Sequence, residues 1–76
     1  METVEELKYQ LDAIRAQRAE IQGQIGSLYD ELNSAPPERR DMIMNRISYL
    51  MDLDSQLNMK EQEILAKLEE RERGFG

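Results

Sequence analysis

Asn33-Ser34-Ala35-Pro36-Pro37 is the one stretch of this chain with strong helix-breaking chemistry. A proline ring clashes with the residue before it and pushes that residue out of the helical region, which predicts extended backbone at Ala35 and Pro36. Pro37 suits a first helical position, where its missing N–H is no loss, and Glu38 then sits near the positive end of a helix dipole. The stretch therefore reads as a turn over residues 34–36 between two helices.

Working outward, the first helix is expected over about residues 3–33 and the second over about 37–73. A short tail, 74–76, follows, and the whole of 1–76 forms one helical-hairpin domain. Thr3-Val4-Glu5-Glu6 matches a capping box. Gly74, coming after Arg71 and Arg73, is a stop signal preceded by cations at the negative end of the dipole. Phe75 is placed to fold back onto the last helical turn.

In the first helix Val4, Leu7, Leu11, Ile14, Arg18, Ile21, Ile25, Leu28 and Leu32 alternate in steps of three and four, a coiled-coil seam with one charged break. The second repeats the pattern through Ile43, Ile47, Leu50, Asp54, Leu57, Glu61, Ile64 and Leu68. So short a connection leaves the two stripes side by side and antiparallel. Pairing Leu32 with Ile43 puts Leu28 against Ile47, Ile25 against Leu50, Leu11 against Ile64 and Leu7 against Leu68. The fold class is all-α, an antiparallel two-helix coiled-coil hairpin.

That register gathers the polar interruptions in the middle. Arg18 faces Leu57, with Asp54 and Glu61 within diagonal reach, which predicts a seam ion-pair cluster that fixes register and orientation at some cost in stability. One Arg and two carboxylates nearly neutralise one another, leaving little for a ligand.

Beside the seam of the second helix lies a further apolar strip, Met44, Met51 and Leu65, with Asn58 as its gap. Two helices cannot cover so wide a face, and a four-helix bundle made by two hairpins is the natural completion. Met44, Met51 and Leu65, with Ile47 of the seam, are the expected self-association set. The competing reading makes the methionines an adaptable surface for a different protein. On the first helix Ala16, Ala19, Gly23 and Gly26 recur away from the seam, and each helical glycine costs about 1 kcal/mol relative to Ala. A close partner helix, a bend or plain surface glycines would each account for them. Tyr29 and Tyr49 join these four as candidate partner contacts, because partly exposed aromatics bury much area with few rotatable bonds. Tyr9 also falls outside the seam.

Composition narrows the function. At 76 residues without Cys or His, the chain has no disulfide and almost no zinc or thiol chemistry, so a second chain is the remaining way to enlarge a small core. A net charge of −6, with the acids interleaved with bases, argues against a nucleic-acid surface. No apolar run approaches the ~20 residues that cross a bilayer, and METVEELK has acids where a targeting peptide needs bases, so a cytoplasmic location is expected, the host cytoplasm if phage-encoded. Asp52-Leu53-Asp54-Ser55 starts like a calcium loop but lacks the turn glycine. No nucleophile elbow, phosphate loop or metal spacing occurs, so no catalytic, cofactor or metal residue is assigned.

The expectation is a non-enzymatic interaction module that pairs with itself and with an unidentified larger protein. An acidic hairpin of this size suits a bacterial or phage accessory factor that inhibits or scaffolds that protein. A purely structural assembly component is the alternative. An enzyme would need Arg15 and Arg18, with Gln22, to hold a small dianion in a dimeric bundle. The helical chorismate mutases work that way, and the likeness extends to the Leu/Ile/Arg rhythm of the first helix, with no third helix and no matching motif.

Overall fold

The computed structural model describes residues 2–74. Two helices, α1 (Val4–Ser34) and α2 (Pro37–Arg73), pack against each other along their lengths, and no strand occurs among the described residues. Ala35 and Pro36 connect them, both extended, with φ/ψ of −77°/141° and −67°/156°. This is the geometry that each following proline imposes.

Helix α1 runs one residue beyond its expected end. Ser34 does not itself precede a proline and stays helical; its hydroxyl donates to the Glu31 carbonyl at 3.4 Å, and the Ala35 N–H closes the last turn on Leu32 O at 3.3 Å. From across the turn, Arg40 Nη1 donates to the same Leu32 carbonyl at 3.1 Å, and Arg39 pairs with Glu31 at 3.6 Å. A carbonyl left open by the end of α1 is thus satisfied by the start of α2.

At the other end Thr3 lies just outside α1 as its cap. Its Oγ1 accepts the Glu6 N–H at 3.1 Å, and the hydroxyl donates to the Glu6 carboxylate at 3.3 Å. The cap half of the box forms, and the Glu6 side chain is held by the Thr3 hydroxyl. Helix α2 stops at Gly74 without a left-handed turn: Gly74 has φ −65° and its N–H reaches Glu70 O at 3.0 Å. Phe75 lies outside the described residues.

The hairpin is a rod of 59 × 18 × 14 Å. At 1.5 Å per residue, the 37 residues of α2 span about 55 Å, so α2 accounts for the full length. Ion pairs at three levels tie the helices together antiparallel: Lys67 to Glu2 at the open end, Arg18 to Asp54 midway, and Arg39 to Glu31 by the turn.

Leu7, Leu11, Ile14, Ile64 and Leu68 form the main buried cluster, with Val4, Leu57 and Leu65 packed on it. Beyond the polar middle, Ile21, Ile43, Ile47 and Leu50 are buried, whereas Ile25, Leu28 and Leu32 of α1 are half-buried.

Leu7 has no exposed surface at all. Leu7→Ala is expected to destabilise the hairpin by about 2–5 kcal/mol, read as a lower urea midpoint, whereas Tyr9→Ala, at a side chain 78% exposed, should leave that midpoint nearly unchanged.

Candidate functional site

The middle of the seam carries the densest polar chemistry in the molecule. Arg18 stands where α1 would otherwise present a leucine, and α2 offers Asp54, Asn58 and Glu61 at steps of four and three on one helical face. The guanidinium takes Asp54 in a fork, Nε to Oδ1 at 2.9 Å and Nη2 to Oδ2 at 3.2 Å. Its Nη1 donates to Glu61 Oε1 at 3.0 Å and to Asn58 Oδ1 at 3.1 Å. The second carboxylate oxygen of Glu61 accepts from Arg15 Nε at 3.3 Å.

Two cations and two carboxylates therefore close on one another, and no buried polar side-chain atom among the described residues lacks a partner. The side chains of Arg18, Asp54 and Glu61 remain 22%, 20% and 12% exposed, so the cluster is half-buried. Hydrogen bonds from Arg18 hold the Asp54 carboxyl below its ordinary range, against the opposing effect of burial. Glu61 is lowered the same way, first by Arg18 and then by Arg15. Arg18 is pushed up in turn, by Asp54 first and Glu61 second. At the open end, Glu2 is lowered by a hydrogen bond from Gln10 and then by Lys67.

The expected pairing of Arg18 with Asp54 or Glu61 is met by both at once, and its reach is wider than the heptad reading allowed. Asn58 looked like a gap in an apolar strip but is an acceptor for Arg18. The available signal was its position, four residues after Asp54 and three before Glu61. Of the two arginines an anion-binding site would require, Arg18 is engaged by Asp54, Asn58 and Glu61, and Arg15 gives its Nε to Glu61.

The strip beside the seam divides into used and unused parts. Ile47 is 4% exposed and buried in the hairpin, so it is withdrawn from the self-association set. Leu65 packs partly on the main cluster. Met44 and Met51 are left 52% and 45% exposed. Around them lies a charge-free stripe: at steps of four and three, α2 presents Met44, Ser48, Met51, Ser55, Asn58, Gln62 and Leu65, in a chain of which 34% is charged. On α1, Gln22 and Tyr29 flank the seam on the same side as Arg15, which meets Glu61 across it. Tyr29 is 45% exposed.

Ala16, Ala19, Gly23 and Gly26 are exposed, and α1 runs unbroken through both glycines. A Cβ at either would meet nothing within 4 Å, so nothing inside the hairpin requires a glycine there. Tyr49 is 55% exposed on the other face, where the Arg46 guanidinium stacks 5.3 Å from its ring centre. That face holds shallow grooves between Gln17 and Gln24 of α1 and Arg46, Leu53 and Lys60 of α2. Among the described residues there is no group of acids arranged to hold a metal and no helix long and apolar enough to cross a membrane.

No protein-family model, curated protein or solved structure matches this chain.

Asp54, Glu61 and Glu2 bind protons more weakly when folded than when unfolded, so acid favours the unfolded state. Stability from these groups is complete above the unfolded carboxylate range, near pH ~4, and is lost as pH falls through it toward the lowered folded values. Arg18→Leu is expected to melt at lower temperature at pH 7 and to lose the share of acid sensitivity that the bonds of Asp54 and Glu61 to Arg18 supply. The Arg18→Leu/Asp54→Leu/Glu61→Leu chain should melt at or above the parent, because the desolvation of three charged groups goes with them. Melts followed by helical circular dichroism at pH 7 and pH 3 check both; a triple variant less stable than Arg18→Leu alone would contradict the argument.

Proposed function

We propose that this chain is a non-enzymatic protein–protein interaction module that pairs with a second copy of itself, two hairpins making a four-helix bundle. The observation that carries this reading is the charge-free face around Met44 and Met51, which the hairpin has no helix to cover. Area points the same way. A compact folded monomer of 8.9 kDa exposes about 4800 Å², whereas the hairpin exposes 5865 Å². The excess, roughly 1000 Å², is of the size one partner covers in a standard interface, about 800 Å².

Self-association leaves the outward surface of α1, with Ala16 and Gly23, and the Tyr49 face of α2 for a larger protein. In this reading the bundle inhibits or scaffolds that protein, as a small bacterial or phage accessory factor in the cytoplasm would. Catalysis has little to work with here, because the guanidinium groups of Arg15 and Arg18 face their own carboxylates.

Sedimentation equilibrium across a wide concentration range tests the pairing. The parent chain is expected at about 18 kDa, twice the mass of one chain. Met44→Glu/Met51→Glu is expected at the monomer mass with its helical content largely kept, since both side chains lie outside the hairpin seam. A parent chain that stays monomeric throughout would overturn self-association and assign the strip to a different protein.

A further inference from the structure

Resting on the reading that two copies pair through the Met44–Met51 face, we infer that the two hairpins run in opposite directions, with α2 of one lying antiparallel on α2 of the other. Met44 then meets the second copy's Leu65, and Met51 meets its Asn58.

Charge along the rod decides the direction. The open end, residues 2–12 and 63–73, holds eight acids and four bases, which is −4 of the chain's −6. Residues 30–46, around the turn, hold four acids and three bases, only −1. Copies pointing the same way would stack both acidic ends about 10 Å apart, a separation comparable to the Debye length of about 8 Å at physiological salt. Opposed copies separate those ends by most of the 59 Å rod, where salt screens them entirely.

Side-chain matching agrees independently. In the same-direction bundle the α2 strip would lie on the second copy's α1, bringing Met44 to Tyr29 but Leu65 to Lys8 and Met51 to Gln22. In the opposed bundle the strip lies on itself, so the exposed part of Leu65 is covered by Met44 and that of Met44 by Leu65, and within the α2 strip only Met51 meets a polar neighbour. Adjacent helices are antiparallel in both bundles, so helix dipoles do not choose between them.

The chain has no cysteine, which makes introduced thiols unambiguous. Met44→Cys and Leu65→Cys chains, mixed under mild oxidation, are expected to give a disulfide-linked dimer, while Met44→Cys mixed with Tyr29→Cys gives none. Because Leu65 also packs on the core, direction is read a second time from an exposed site. Spin labels on Glu70→Cys are expected about 45 Å apart, from the rise of 1.5 Å per residue. A Met44–Tyr29 disulfide, or labels within about 20 Å of each other, as the diagonal helices of a bundle whose neighbours lie about 10 Å apart would hold them, overturns the opposed arrangement while leaving self-association intact. A monomer mass with no dipolar coupling between labels overturns both.

Discussion

Two helices can hide only one stripe of each other from water. A bundle of three or four gives each helix a second neighbour, but a hairpin gives it one, and any apolar residue off the shared seam stays wet. Leu7 and Met44 differ in this respect alone: both are long apolar side chains on well-formed helices, one at the seam with no exposure and one beside it at 52%. The half-buried state of the polar cluster has the same origin. With solvent on both sides of the seam, Arg18 can span to Asp54 and Glu61 without being taken out of water completely, so its desolvation is partial.

That partial burial explains why a charged cluster is tolerable at the centre of so small a core. A uniform leucine seam would pack in several registers, each one heptad from the next, with little to choose between them. Arg18 makes the registers unequal. Slipping by one heptad would carry the guanidinium about 10 Å along α2, away from at least one of its carboxylates, and leave charge facing leucine. The fork on Asp54 adds direction to distance, because two parallel N–H···O bonds fix the plane of the guanidinium as well as its position.

Much of this was legible from residue order. Steps of three and four located the seam, Ala35-Pro36-Pro37 located the turn, and together they implied that Leu7 and Leu11 come together with Ile64 and Leu68, which share one buried cluster. What escaped the reading were matters of reach and shielding. Asn58 passed as a gap because its neighbours on the strip were apolar, while its acceptor role depends on how far Arg18 extends across the seam. Ile47 was counted on two surfaces, and only burial shows that the seam claims it. Ser34 was set in the turn by its company, though proline acts on just the residue before it. Ile25, Leu28 and Leu32 hold seam positions yet stay half-buried, a difference in shielding that seam periodicity does not register.

The main cluster of Leu7, Leu11, Ile14, Ile64 and Leu68 lies at the open end, as far along the chain from the turn as this fold permits. Helix pairs that zip from their turn usually gain packing as they go, each step closing a small loop. Here the best packing comes last, after some fifty residues between Leu11 and Ile64 have been brought together, and the loop-closure entropy for that contact comes due first unless the turn half holds. Packing at the open end thus carries the entropy of closing nearly the whole chain, whereas the turn half, with Ile43, Ile47 and Leu50 buried, closes a much shorter loop.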